Sequence, residues 1–208
     1  MKILAISDNI QPQMENPDRL RKNYGDVELL ISCGDMPAPY IDLIGSTLNV
    51  PVFFVKGNHD LDYGPDRPGG EDLKGKIVTF KGFSFAGLEG SPRYNQEPLQ
   101  YGELEMTLMV WSFAPRMLLR RWLNGYGVDV MITHAPPRGI HDLEDRAHRG
   151  FKSYRTLINL YRPRFLLHGH VDTWDNRRPT TTKFGETEVI NINPVKVLTL
   201  ERRTRNGF

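Results

Sequence analysis

Short apolar runs that stop abruptly at acidic, amide or imidazole residues set the pattern of this chain. Lys2 to Ser7 is the first such run, halted by Asp8, and it predicts a buried strand. Pro12 and Pro17 interrupt the next segment, so a helix is predicted from near Asp18. Val27 to Ser32 predicts a second strand ending at Gly34-Asp35, and Pro51 to Lys56 a third ending at Gly57-Asn58-His59-Asp60. Between these two strands, Ile41 to Leu48 predicts a connecting helix.

Tyr63 to Gly75 is rich in glycine, proline and charge and reads as a loop. Lys76 to Phe80 and Phe83 to Leu88 predict a hairpin around Lys81-Gly82. A loop from Glu89 to Gln100 leads to Glu103–Trp122, whose apolar residues fall mostly at helical spacing and which Pro115 divides into two helices. Its aromatic and basic content fits a membrane-surface helix less well than packing across the edge of the core. Capping the site, supporting it from outside and forming a subunit interface all stay open for it, and with the last a homo-oligomer. Val128 to Thr133 predicts a strand ending at His134, Ser153 to Tyr161 a helix, and Pro163 to Leu167 a strand delivering His168-Gly169-His170-Val171-Asp172. Thr182 to Leu200 predicts antiparallel hairpins with turns at Gly185-Glu186 and near Asn193-Pro194.

At 208 residues one domain spanning 1–208 is expected. The charge balance, 27 Lys and Arg against 25 Asp and Glu, gives no general argument for nucleic acid. Arg116 to Arg121 and the tail from Glu201 read as solvated charge. No stretch approaches bilayer-spanning length and the apolar start is too short for a signal segment, so no membrane partner and a cytoplasmic location are expected. The single cysteine, Cys33, excludes an internal disulfide and reads as a buried structural residue.

Five separate strand ends thus carry Asp8, Asp35, Asn58-His59, His134 and His170-Asp172. In open α/β sheets, ligands bind beyond the carboxyl ends of the strands, where loops converge. Oxygen and imidazole donors suit manganese, iron, zinc or cobalt better than a thiolate-selective metal. Two bridged cations can clamp a phosphoryl group and activate a water, and a carboxylate such as Asp35 has two oxygens with which to bridge them. Gly87-Leu88-Glu89-Gly90 is no phosphate loop, because no Gly-Lys-Ser/Thr follows.

The ordered set Asp8, Gly34-Asp35, Gly57-Asn58-His59-Asp60, His134 and Gly169-His170-Val171-Asp172 resembles the calcineurin-like metallophosphoesterases. Their pattern is DxH, GD, GNHD/E, a strand-end His and GHxH. His134-Ala135-Pro136-Pro137 and the run Arg162 to His170 are similar to a small bacterial phosphodiesterase-like branch. The resemblance spans roughly residues 1 to 200 and implies an α/β fold, a four-layer α-β-β-α sandwich of two mixed sheets. It implies two divalent metal ions, manganese or iron foremost, with zinc, magnesium and cobalt as alternatives. Asp35 would bridge them, Asn58, His134 and His170 would complete one site, and Asp8 and Asp35 would serve the other.

That other site departs from the family. Ile10 stands at the DxH histidine and cannot ligate, and Asp172 stands at the last histidine of GHxH. Asp172 would give a harder, more anionic site that favours manganese or magnesium; otherwise the site is weak and Asp172 orients a neighbour. The resemblance makes His59 the proton donor to the leaving oxygen, with Asp60 holding its tautomer. Arg93, then Arg138 and Arg149, are the candidate phosphate contacts. His168 reads as a supporting or packed residue, and His141 and His148 as solvated, with a lid or substrate contact as the alternative. The implied activity is hydrolysis of a small phosphate ester, foremost a diester, with a phosphomonoesterase or a degenerate metal-binding scaffold as alternatives.

Overall fold

The computed structural model describes residues 1–60, 67–173 and 178–202. The apolar runs form strands buried on both faces, as expected where sheets are covered on each side. β1 (Lys2–Ile6), β2 (Leu29–Ser32), β3 (Val52–Phe54) and β4 (Glu71–Asp72) run parallel. The second sheet takes β5 (Ile77–Phe80) and β6 (Phe83–Leu88), with a two-stranded pair, β7 (Ser91–Pro92) and β8 (Gln100–Tyr101), at its margin. β9 (Val130–Thr133), β10 (Phe165–His168), β11 (Thr181–Phe184) and β12 (Thr187–Asn191) complete it, in the order β11-β12-β10-β9-β6-β5. β13 (Val195–Thr199) closes the first sheet beside β1, giving β13-β1-β2-β3-β4.

Alternation of side chains assigns each strand to two layers at once. From β1, Ile3 and Ala5 face the other sheet, while Leu4 and Ile6 meet the helices outside. Phe53 and Phe54 divide in the same way, as do Ile132 and Met131. α1 (Pro17–Tyr24) and α2 (Ala38–Leu48) cover the first sheet. α3 (Glu103–Ser112), α4 (Ala114–Asn124) and α5 (Lys152–Tyr161) cover the second. The result is an α-β-β-α sandwich of two mixed sheets. α1 starts where Asn16 accepts from the Arg19 N–H with Pro17 at its first position, so Pro17 begins the helix instead of breaking it.

Three expectations are corrected. The closing segment makes one hairpin, β11 with β12 around Gly185-Glu186; β12 and β13 do not pair. At Asn193-Pro194 the chain crosses to the other sheet, where β13 runs antiparallel to β1. That pairing spans the whole sequence, and no local turn signal encodes it. Part of the segment read as a loop, Glu71–Asp72, pairs with β3, while 61–66 lie outside the described residues. In α3 and α4, Met106, Val110, Phe113 and Met117 pack on the core, but Leu104, Leu108, Trp111 and Trp122 stand exposed, so edge packing accounts for one face only.

Phe85 sits fully buried between the sheets, edge-on to Phe53 at 5.3 Å. Phe85→Ala is expected to destabilise by about 3–5 kcal/mol, because the rigid strands on both sides cannot collapse into the void. Urea unfolding checks this: the midpoint should fall while the slope stays unchanged.

Candidate metal centre

The strand ends converge. Asp8 follows β1, Asp35 follows β2, Asn58 follows β3, His134 follows β9 and His170 follows β10. Asp8, Asp35 and His170 hold positive φ of 62°, 55° and 66°, a conformation that non-glycine residues rarely adopt. Strained backbone of this kind gathers at functional sites, where the surrounding structure must impose it. Two glycines make the approach possible. A Cβ on Gly57 would strike the Asp35 carboxylate, and one on Gly169 would strike Ser7 and Asp8.

His134 Nε2 is the centre of the cluster. Asn58 Oδ1 and His170 Nδ1 lie 3.1 Å from it, and Asp35 Oδ2 lies 3.3 Å away. The outer nitrogens are spoken for: His134 Nδ1 meets the Cys33 carbonyl at 2.9 Å, and His170 Nε2 the Ala147 carbonyl at 2.7 Å. A carbonyl can only accept, so each neutral ring carries its hydrogen outward and aims a lone pair inward. Four acceptors then face one another, and only a cation reconciles them. Ligand atoms of Asp35, His134 and His170 fall within 4.8 Å of one another, a spacing that fits a single ion. The donor set of carboxylate, amide oxygen and two imidazoles suits a divalent first-row metal.

Without a metal, a proton takes that place. Burial disfavours a charged ring at His134, yet the Asp35 and Asp8 carboxylates outweigh it and raise His134 to about 9. Burial likewise lifts Asp35, but the His134 charge and hydrogen bond and the His59 N–H bring it down to about 2. Burial, then the His134 charge, lowers His170 to about 3. Burial raises Asp8 to about 6, although both its oxygens accept the His170 N–H at 3.0 Å.

The Asp60 carboxylate accepts the backbone N–H groups of Asp35, Met36 and Gly57 at 2.6, 3.1 and 2.8 Å, bracing two of the converging turns against each other. His59 is exposed, and its N–H donates to Asp35 Oδ1 at 2.8 Å. Asp172 is exposed, with Oδ1 accepting from Asn9 at 2.9 Å and Asn193 at 3.0 Å. Ile10 is 42% exposed and contributes no donor.

The arginines lie elsewhere than on the cluster. Arg93 meets Glu105 at 2.8 Å and the Gln100 carbonyl at 3.2 Å. Arg138 meets Asp142 and Glu144, both at 2.7 Å, and Arg149 donates to the Glu144 carbonyl at 2.9 Å. Beside Arg93, Tyr94 reaches the site and accepts from the Asn58 amide at 3.1 Å. The sequence marked that loop but offered no reason to choose Tyr94 over its neighbour. Nor did it show that residues 142–149 cover the site, with the His148 ring 5.3 Å from the His170 ring and tilted 40° to it.

His141, read as solvated, is half-buried. His168 Nδ1 donates to the Gly169 carbonyl, and its Nε2 accepts from His141 Nδ1, both at 2.9 Å. His141 Nε2 accepts from the Thr182 hydroxyl at 2.8 Å. Burial keeps both rings neutral, lowering His168 to about 3 and His141 to about 4. His141 and Thr182 wall a cavity of about 250 Å³ that Asp172 also lines.

Residues 1–172 match the family described as calcineurin-like phosphoesterase. The chain belongs to that family. Family membership and the clustered triad make it a metal-dependent phosphoesterase. No curated protein sequence matches the chain. One solved structure overlays with a TM-score of 0.63 at 17% identity, covering 95% of this chain and 94% of its own. TT1561 of Thermus thermophilus overlays at 0.61 and 14% identity, covering 92% and 88%. These two likenesses show a shared fold alone. A novel archaeal phosphodiesterase overlays at a TM-score of 0.43 and 14% identity, covering 92% and 83%. Among the described residues, no helix is long and apolar enough to cross a membrane.

Because His134 is raised above its usual 6.5, the metal-free fold gains stability below that value and loses it as pH rises through about 9. Metal affinity has the opposite sign. It should rise about tenfold per pH unit toward that limit, with one proton released per ion. Calorimetric titration in buffers of different ionisation enthalpy reads the proton directly. Binding without proton release near neutral pH would show that His134 does not hold the ion.

Proposed function

We propose that the chain hydrolyses a phosphate diester at a centre of two divalent cations, manganese or iron foremost. The observation that carries this reading is the convergence of Asp35, Asn58, His134 and His170 on one point, with the Asp8 carboxylate close enough to feel the His134 and Asp35 charges. When bound, the cations supply Lewis acidity toward a phosphoryl oxygen and lower the pKa of a water.

The chain's own residues do the rest. Asp35 presents Oδ2 to His134 and turns Oδ1 toward the His59 N–H, so the carboxylate is held in one orientation. Asn58 adds a neutral oxygen, and Tyr94 fixes its amide. Asp8 supports the site at which Ile10 and Asp172 replace the family's histidines, here called the first site, and Asp172, held by two amides on Oδ1, supplies the oxygen that Ile10 does not. His59 is the proton donor to the leaving oxygen in this reading, which its exposure and its N–H on Asp35 support. Among the arginines, Arg149 is the first choice for the phosphate. Its described hydrogen bond is to a carbonyl, which leaves its charge unneutralised, whereas Arg93 and Arg138 meet carboxylates.

Charge favours the diester. Two dications set against Asp8, Asp35 and Asp172 leave roughly one net positive charge, a better match for a monoanionic diester than a dianionic monoester. The cavity beyond Asp172, neutral at His141, gives the second ester substituent a place. The reading agrees with the small bacterial phosphodiesterase-like branch and with a small substrate.

Saturable hydrolysis of bis-(p-nitrophenyl) phosphate in added manganese is expected, faster than that of p-nitrophenyl phosphate. Asn58→Ala should abolish it, and His59→Ala should lower kcat by about 10²–10⁴ without changing metal content. Turnover no greater than that of Asn58→Ala on either ester would end this proposal. Ile10→His combined with Asp172→His should tighten the first ion and raise the rate. Metal counting by plasma emission tests the first site independently: one ion per chain under saturating metal would reduce the centre to a single cation.

A further inference from the structure

Seven of the nine large apolar side chains that stand exposed among the described residues lie on α3 and α4. The two helices are nearly continuous, since Phe113 between them keeps helical dihedrals and Met117 N–H still reaches the Phe113 carbonyl at 2.9 Å. Met106, Val110, Phe113 and Met117 face the core. On the opposite side, Leu104, Leu108, Trp111, Pro115, Leu118 and Trp122 follow one another at alternating steps of four and three. That is the repeat of a helix that seats against another helix.

We propose that this outward stripe is the interface at which two copies of the chain pair, with the α3–α4 helices antiparallel about a two-fold axis. Three observations converge on a second copy. The first is the spacing, which lines the large side chains into one seam along both helices, as packing against a facing helix requires. The second is area: the five large side chains of the stripe, with Leu119 and Leu123 along its flank, are 39% to 81% exposed and present apolar surface on the order of 800 Å². One partner in a standard interface of about 1,600 Å² contributes that much.

The third observation is charge. Glu103 and Glu105 occupy the first turn of α3, while Arg116, Arg120 and Arg121 occupy α4, which carries no acidic residue. Antiparallel pairing sets each acidic end against the partner's basic end, and parallel pairing would set like against like. Arg93 offsets part of the acidic end through Glu105, but Arg120 and Arg121 meet carbonyls of Gly127 and Leu160 and keep their charge. Arg116 stands exposed beside the stripe, where an interface rim is polar.

Sedimentation velocity on the full chain over a wide dilution series tests this. A dimer is expected, converted to monomer by Trp122→Glu with unchanged circular dichroism. With Cys33 buried, introduced cysteines report orientation cleanly. Leu104→Cys with Trp122→Cys in one chain should cross-link to dimers on oxidation, whereas Leu104→Cys alone should not. A chain monomeric at every concentration overturns the proposal, as does a dimer indifferent to Trp122→Glu. Flotation of a monomer with anionic phosphatidylglycerol vesicles would also overturn it, by assigning the stripe to lipid.

Discussion

The inward-facing lone pairs around His134 Nε2 are the constraint on which the site depends. Asp35, Asn58 and His170 all bring acceptors within 3.3 Å of that atom, and two backbone carbonyls outside prevent either ring from turning its hydrogen inward. Such an arrangement is repulsive until a cation enters it. It persists because the ends of four strands from two sheets are fixed there by the sandwich beneath. Asp60 adds a brace of its own by collecting N–H groups from two turns. The left-handed residues Asp8, Asp35 and His170 cost about 1–3 kcal/mol each. The doubly buried strands that precede them supply the rigidity to hold that strain.

In the proposed two-cation centre, the two halves would be built differently. The half around His134 draws its ligands from strand ends and its orientation from main-chain carbonyls, so it hardly depends on flexible side chains. The half around Asp8 depends on a polar cluster assembled by the crossing at Asn193. There Asn9 bonds both Asp172 and Asn193, and Asn193 in turn bonds Asp172. The chain segment that joins the two sheets therefore also sets the Asp172 carboxylate. As a ligand in that proposed half, an exposed aspartate on an amide bridge would be softer in position than a buried imidazole.

Much of this was legible in the sequence, because the strands and their terminal ligands are local signals. An apolar run followed at once by Asp, Asn or His identifies both the strand and the residue it delivers. Pro115 marked the break between α3 and α4, and Lys81-Gly82 the hairpin. What stayed hidden was set by distant contacts. The pairing of β13 with β1, the covering of His170 by residues 142–149, and the choice of Tyr94 over Arg93 all depend on segments far apart in sequence. His141 lies in a charged stretch and reads as solvated. Its burial comes from Thr182 and His168, which only the folded sheet brings near.

The apolar stripe and the metal centre are also joined mechanically. Glu103, at the start of α3, accepts the N–H groups of Lys152 and Ser153 at 3.1 and 2.6 Å and so caps α5. The segment leading into α5 carries Ala147, whose carbonyl fixes the tautomer of His170. α3 therefore anchors, through one carboxylate, the chain end from which that segment extends over the site. Occupying the outer face of α3 would restrain the same residue that holds α5 in place. The feature that makes α3 unusual for the outer layer of a sandwich, an apolar face on each side, thus lies on the element that steadies the cover of the centre. An interface there would add rigidity where the metal ligands need it, without contributing any atom to the site.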